Sequence, residues 1–255
     1  MTASPAPAQA PRGLIRFGAS DAPTRRVYCL PFAGGGPATY RAWPRALPAD
    51  HDVVAVALPG RDPSRREVPV DSIGEIVDVV VGSILELQAA EAVPFSLFGH
   101  SLGALVAFET TLTLEAGDGA APDRLFVSGR RPPDELIQRE PLHALPDEEF
   151  LEAIQKSYGA VPEAVRREPD LLALFLPSLR ADIKAHETYG SVPGRTVRCP
   201  VRVYGGTQDR NPRPSQLGGW QRLAEQEVSV RVFEGGHFYL NDHRDALAAD
   251  IAEHS

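Results

Sequence analysis

A serine flanked by glycines stands where a strand-like segment turns into a helix. Residues 98–103 read Phe-Gly-His-Ser-Leu-Gly and contain the pattern Gly-x-Ser-x-Gly around Ser101. The segment before the pattern reads as a strand, and Leu105, Phe108 and Leu112 follow it at helical spacing. A nucleophile elbow needs this context, because its sharp turn exposes the serine Oγ at a helix N-terminus that favours a developing anion. The pattern predicts that Ser101 is a nucleophile that attacks a carbonyl carbon.

A nucleophilic serine needs a base, and the chain has seven histidines. His237 follows two glycines directly after the last strand-like segment, so its loop can carry the imidazole over the carboxyl edge of a sheet. His100 lies inside the elbow and is too constrained to face the neighbouring serine. The other five lie in polar surroundings typical of surface residues: His51, His143, His186, His243 and His254. We therefore expect His237 to be the base.

The acid of such a triad lies between the serine and the histidine in chain order, at the end of a strand. Asp209 follows the strand-like residues 201–205 and meets this requirement. Asp134 and Asp182 are weaker alternatives, because they lie at the start and in the middle of a helical insertion. In the expected mechanism the histidine takes the proton of the serine, while Asp209 holds the imidazole tautomer and stabilises the imidazolium.

An anionic intermediate needs two N–H donors, and two backbone positions are candidates. One is Leu102, the residue after the nucleophile, and the second is expected in the loop after the first core strand. That loop, residues 30–36, reads Leu-Pro-Phe-Ala-Gly-Gly-Gly, and we assign the second donor to Ala33. The loop lacks the glycine spacing and the lysine of a phosphate-binding loop. Cys29 and Cys199 stand at no metal-ligand spacing, so neither a metal nor a bound cofactor is expected.

The elements that would position these residues read as an α/β sheet. The strand-like segments are residues 26–31, 52–58, 95–99, 124–129, 201–205 and 228–233. The second segment is apolar without alternation, which is typical of a parallel strand covered on both faces. An amphipathic helix from Ile73 to Leu87 separates the second and third segments, and Ser72 with Glu75 fits a capping box. Strands alternating with helices predict a mostly parallel, doubly wound sheet.

One insertion interrupts this alternation. It contains no strand-like run but two helical stretches, residues 147–157 and 169–187, and Pro177 is expected to kink the second. We expect either a helical lid over a substrate channel or a simple packing subdomain. The start of the chain is rich in alanine and proline and is predicted to be a disordered tail. The predicted division is a tail (1–24), a core in two parts (25–131 and 194–255) and a helical lid (132–193).

Composition excludes several classes of protein. The 255 residues carry a net charge of −8, with 43% hydrophobic and 24% charged residues, which is ordinary for a globular chain. A nucleic-acid binder would need a dense basic surface. No apolar run approaches the roughly 18 residues of a membrane span, and the N-terminus does not resemble a signal peptide. We expect a soluble, cytoplasmic monomer that binds neither nucleic acid nor membranes.

The blocks described above together resemble the type II thioesterases, which are free-standing α/β-hydrolase enzymes of polyketide synthase and nonribosomal peptide synthetase pathways. The resemblance runs from Arg26 to Asp242 and is carried by these segments: 30–36, Trp43, 58–61, 98–104, 108–109, 142–147, 179–182, Glu187, Tyr189 and 235–238. It implies an α/β-hydrolase fold with a helical lid. It also implies hydrolysis of acyl groups from the phosphopantetheine thiol of acyl or peptidyl carrier proteins, which clears stalled or aberrant units.

The resemblance carries the triad over as Ser101, Asp209 and His237, and the oxyanion donors as Ala33 and Leu102. Two alternatives stay open: a carboxylesterase or lipase acting on free oxygen esters, and a carrier-binding module without activity. Carrier proteins are typically acidic, so a chain of net charge −8 would need local basic patches to bind them. The candidate arginines are 65–66, 130–131, 166–167, Arg210 and Arg213.

Overall fold

Within the described residues, seven strands form one sheet at the centre of the molecule. They are β1 (Leu14–Phe17), β2 (Arg25–Leu30), β3 (His51–Val56), β4 (Phe95–His100), β5 (Arg124–Ser128), β6 (Val201–Gly206) and β7 (Ser229–Phe233). Their order is β1-β3-β2-β4-β5-β6-β7, with β1 antiparallel and every other pair parallel. This computed structural model describes residues 11–18, 20, 22–58, 61, 68–135, 140–159 and 166–255. The mostly parallel sheet in this strand order confirms the predicted α/β-hydrolase architecture.

The central strands are buried on both faces, as their unbroken apolar runs require. Val27 of β2 pairs with Val53 of β3, and both side chains enter one core layer. Tyr28 and Val54, the next pair in register, enter the core layer on the opposite face. Because successive side chains of a strand point to opposite faces, helices must cover both sides of the sheet. All six strand-like segments of the sequence are present with ends shifted by a few residues.

The first strand corrects the predicted N-terminal tail. The tail was expected to extend to residue 24, but residues 14–17 form β1 and pair with β3. Leu14 is buried in the core, and the Arg16 guanidinium lies 2.9 Å from Asp52 and 2.8 Å from Glu91. Only the first ten residues and residues 19 and 21 of the predicted tail lie outside the described residues. The alanine- and proline-rich composition did not indicate this strand, because its partners in β3 and at Glu91 lie far along the chain.

Six α-helices surround the sheet in the described part of the chain. They are α1 (Ile73–Ala90), α2 (Leu102–Ala116), α3 (Asp147–Tyr158), α4 (Pro169–Glu187), α5 (Tyr239–Asp242) and α6 (Arg244–His254). The predicted apolar face of α1 is buried from Ile73 to Leu87. The predicted capping box is wrong, because the Ser72 side chain makes no capping hydrogen bond although its backbone is extended there.

The insertion holds the two predicted helices, α3 and α4. They share a small core of Phe150, Ile154, Leu179 and Ile183. α4 passes through Pro177 as one helix, so the proline does not end it. No described helix has the length and apolar character that crossing a bilayer requires.

Candidate active site

Ser101 occupies a strained turn between β4 and α2. Its φ of 55° and ψ of −111° place it in a region that side chains rarely adopt, and no other described non-glycine residue has a positive φ. The flanking glycines permit this turn. A Cβ on Gly103 would lie 2.1 Å from the Leu30 carbonyl oxygen, and one on Gly99 would lie 2.1 Å from the Gly103 carbonyl oxygen. The turn therefore has the backbone of a nucleophile elbow, with its serine at the N-terminus of α2.

His237 and Asp209 form a hydrogen-bonded pair. The imidazole Nδ1 lies 2.8 Å from Asp209 Oδ2, and both side chains are almost fully buried. The second carboxylate oxygen, Oδ1, accepts the backbone N–H of Asn211 at 2.9 Å. Both oxygens are thus engaged, and the carboxylate cannot rotate without losing a hydrogen bond. Such a pair orients an imidazole so that its Nε2 can accept a proton.

The two loops that carry this pair pack against each other. The backbone N–H of Gln208 donates to the Gly235 carbonyl oxygen at 2.8 Å. A Cβ on Gly206 would lie 2.4 Å from the Gly236 carbonyl oxygen, so a glycine is needed at the end of β6. This contact fixes the distance between the acid loop and the histidine loop.

The predicted site residues meet at one pocket. Ser101, His237, Ala33 and Leu102 line it, and Asp209 stands behind the imidazole. The pocket contains about 570 Å³ free of protein atoms, including its open mouth. Helices α3 and α4 supply apolar lining residues: Ile154, Leu179 and Ile183, with Tyr158 beside them. The insertion therefore contributes directly to this pocket, as a lid would, rather than packing elsewhere on the core.

The competing acid candidates do not contact the imidazole. Asp134 pairs with Arg222 near the surface, 3.0 Å from its Nε. Asp182 is fully buried and accepts the backbone N–H of Gly34, 2.8 Å away, while it also pairs with Arg61. Of the three predicted candidates, only Asp209 hydrogen-bonds to His237.

Two of the other histidines depart from the surface positions expected for them. His51 is buried at the start of β3, with its Nδ1 3.1 Å from Asp50. His186 lines the pocket from α4. Polar neighbours in the sequence indicated neither the burial of His51 nor the place of His186 at the pocket.

His100 packs against the His237 ring, a contact that the sequence did not indicate. Its ring centroid lies 5.0 Å from that of His237. Its Nδ1 is 2.8 Å from Ser128 Oγ, which in turn is 2.5 Å from the Tyr239 hydroxyl. Burial, and then the nearby His237, lower the pKa of His100 well below its usual range. The imidazole beneath the predicted base is therefore neutral, and it adds no repulsion when that base takes up a proton.

Comparison with known proteins decides the family. The sequence profile described as the thioesterase domain matches residues 25–254. The chain belongs to the thioesterase family.

Individual relatives agree with the profile over most of their length. The chain is 37% identical to thioesterase PikA5 of Streptomyces venezuelae over 229 residues, which is 90% of this chain and 80% of that protein. It is 32% identical to the gramicidin S biosynthesis protein GrsT of Aneurinibacillus migulanus over 91% of this chain and 89% of that one. The solved structure of BorB, a type II thioesterase from the borrelidin biosynthetic cluster, has a TM-score of 0.85. It is 33% identical, covering 97% of this chain and 99% of its own.

These similarities confirm the resemblance to type II thioesterases. This thioesterase is therefore a hydrolase that acts on thioesters. Another solved structure that it resembles is YbtT, a type II thioesterase from the yersiniabactin NRPS/PKS biosynthetic pathway, with 32% identity and a TM-score of 0.81 over 95% of this chain and 97% of that one.

Proposed function

We propose that this thioesterase hydrolyses acyl groups from the phosphopantetheine thiol of acyl or peptidyl carrier proteins. It would thereby clear stalled or aberrant units during polyketide or nonribosomal peptide biosynthesis. The observation that carries the proposal is one pocket that combines a serine elbow, a buried His237–Asp209 pair and an apolar lining from the insertion. The origin of its relative YbtT in an NRPS/PKS biosynthetic pathway supports the choice of substrate.

The mechanism uses this chain's own residues. Ser101 Oγ attacks the thioester carbonyl carbon while His237 Nε2 takes its proton. The negative charge on the carbonyl oxygen is stabilised by the backbone N–H groups of Ala33 and Leu102. The C–S bond breaks, and the imidazolium returns the proton to the leaving thiolate. A water molecule, deprotonated by His237, then attacks the acyl carbon. The bond from that carbon to Ser101 Oγ breaks, the imidazolium returns its proton to Oγ, and the carboxylic acid is released.

Two arginines favour a carrier-bound substrate over a free oxygen ester. Arg130 and Arg131 follow β5 and line the same pocket as the triad. A guanidinium group binds phosphate oxygens through paired hydrogen bonds, and the pantetheine arm of a carrier protein carries one phosphate. A net charge of −8 repels an acidic partner, so a local positive site has more effect on binding than total charge. The candidate pair at residues 65–66 lies outside the described residues.

The test compares one acyl group on three leaving groups: a carrier protein, pantetheine alone and p-nitrophenol. We expect the highest kcat/KM with the carrier thioester, and we expect Ser101→Ala to lose at least about 10⁴-fold in kcat. Faster turnover of the oxygen ester without carrier activity would establish the carboxylesterase alternative. Carrier binding without hydrolysis would indicate a binding module, and an active Ser101→Ala variant would refute the assigned nucleophile.

A further inference from the structure

A buried carboxylate joins the insertion to the loop that carries Ala33. Asp182, on α4, is fully inaccessible to solvent. Its Oδ2 accepts the backbone N–H of Gly34 at 2.8 Å, and its Oδ1 accepts Arg61 Nε–H at 3.0 Å. These partners lie more than 100 residues away in sequence. Burial raises the pKa of Asp182, while Arg61 and the Gly34 N–H favour its charged form. A buried carboxylate in such a place needs both partners to remain stable.

Gly34 rests on one face of α4. A Cβ on Gly34 would lie 2.7 Å from the Phe175 ring and 3.1 Å from Leu179 Cδ1. Phe175, Leu179 and Asp182 are spaced i, i+4 and i+7, which places them on one side of the helix. Gly34 also has a φ of +72°, which a residue with a side chain rarely adopts. The helix therefore contacts this residue through two apolar side chains and one hydrogen bond.

The same helix forms part of the acyl pocket. Leu179, Ile183 and His186 of α4 line the pocket beside Ser101. Leu179 lies next to Gly34 and also lines the pocket. Any acyl group that displaces α4 must therefore also displace the peptide that follows Ala33. Oxyanion donors lose much of their effect when they move by a fraction of an ångström, because their benefit depends on a preset position.

We propose that Asp182 is a positioning residue that holds the Ala33 N–H toward the substrate carbonyl and makes the oxyanion hole depend on the position of the lid. The inference rests on the proposed function, in which Ala33 supplies the second donor. Acyl groups that fit under α4 then meet an intact oxyanion hole. Acyl groups that push α4 aside meet a weakened one, so selectivity is expressed in kcat as well as in binding.

The expected loss is bounded by the contribution of one donor. Removing one oxyanion donor lowers kcat by about 10²–10³-fold. Asp182→Ala leaves the Ala33 N–H present but releases its loop, so kcat should fall by roughly 10–100-fold. Asp182→Asn retains one acceptor for two donors and should lose less. Gly34→Ala pushes the loop away from Phe175 without changing the carboxylate, and it should also lower kcat.

A matched control lies on the same helix. Glu187 is a nearly buried carboxylate of α4 that also accepts backbone N–H groups, those of Leu142 and His143, each at 3.0 Å. Its partners belong to the insertion itself rather than to the oxyanion loop. Glu187→Gln therefore weakens hydrogen bonds between α4 and backbone N–H groups, as the Asp182 variants do, but it does so away from the loop that carries Ala33. We expect its kcat to stay within about threefold of the wild-type value.

The experiment measures kcat and KM with a short-acyl pantetheine thioester. Active sites are counted with a fluorophosphonate that is left to react with Ser101 to completion. We expect the Asp182 variants and Gly34→Ala to lose kcat per titrated site with little change in KM, because the short acyl group barely contacts α4. A merely structural role would lower the titrated fraction and leave kcat per site unchanged.

Two results would overturn the inference. One is wild-type kcat per titrated site in both Asp182→Asn and Gly34→Ala. The other is an equal loss in Glu187→Gln, which would assign the effect to general disturbance of the lid. Failure of the proposed function is read separately, from wild-type enzyme that prefers the oxygen ester to the carrier thioester or from a Ser101→Ala variant that stays active, and neither result depends on Asp182.

Discussion

Replacing Asp209 by asparagine tests the His237–Asp209 pair through the tautomer of the imidazole. The carboxylate accepts two hydrogen bonds, one from the backbone N–H of Asn211 and one from His237 Nδ1. A backbone N–H can only donate, so the amide oxygen of an introduced asparagine takes the place of Oδ1. Its NH₂ group then occupies the place of Oδ2 and faces the imidazole.

The magnitude follows from this geometry. An NH₂ group can only donate, so His237 Nδ1 must accept and the ring proton moves to Nε2. In that tautomer Nε2 has no lone pair left to take the proton of Ser101. A wrong tautomer lowers kcat of a serine triad by about 10⁴-fold, which corresponds to about 5.5 kcal/mol of transition-state stabilisation. The substitution is isosteric, so the fold should be retained.

The assay is steady-state hydrolysis of an acyl-pantetheine thioester near neutral pH, with thermal unfolding as a check of structure. Asp134→Asn is the matched control, because this aspartate was a competing acid candidate and pairs with Arg222 away from the imidazole. Its kcat should stay within about twofold of wild type. An Asp209→Asn variant that keeps more than about a tenth of kcat would refute the tautomer argument and require another acid.

Two predictions concern stability. Gly103→Ala should lower the free energy of unfolding by about 3 kcal/mol or more. The reason is that its Cβ would lie 2.1 Å from the Leu30 carbonyl oxygen, so the backbone would have to shift. A free energy of unfolding in urea within about 1 kcal/mol of the wild-type value would contradict this. Burial opposes ionisation of Asp250, but hydrogen bonds from Arg202, Tyr204 and Arg231 outweigh it and lower its pKa from 3.8 to about 2. Since the folded-state pKa is the lower one, Asp250→Asn should cost about 2 kcal/mol near pH 7. That difference should shrink as pH falls below about 4 toward 2, and a gap that stays constant over this range would refute the assignment.

The strands and the serine elbow could be predicted because their signals are local. Strand β3 contains the unbroken apolar run 53–56, and its neighbour β2 contains the apolar run 27–30. The elbow needs glycines at residues 99 and 103 because a Cβ at either position would collide with a backbone carbonyl oxygen. Both glycines lie within five residues of sequence, so the pattern is easy to recognise. The glycine pair before His237 then selected the base, and chain order selected Asp209; His237 Nδ1 lies 2.8 Å from Asp209 Oδ2.

The features that could not be predicted depend on partners distant in sequence. β1 is only four residues long, and its composition does not indicate a strand. It is held in the sheet by its pairing with β3 and by the ion pair of Arg16 with Asp52. Asp182 read as a mid-helix acid, because nothing near it reveals that Gly34 donates to it. His100 read as a constrained part of the elbow, and its contact with Ser128 becomes visible only when β4 and β5 pair.

The insertion is hydrogen-bonded to two loops of the candidate site. Besides the bond from Asp182 to Gly34, the Tyr158 hydroxyl at the end of α3 accepts Asn211 Nδ2–H at 3.1 Å. The Tyr158 ring also lies 5.5 Å from the His237 ring, between centroids. Each helix of the insertion thus contacts one loop of the candidate site: α3 contacts the loop after Asp209, and α4 contacts the loop that carries Ala33. Because the apolar pocket lies between these two contacts, its shape can change through the residues of α3 and α4 that face it while both hydrogen bonds persist. Replacement of the whole insertion without Tyr158 and Asp182 would remove both bonds, and the core strands alone do not supply them.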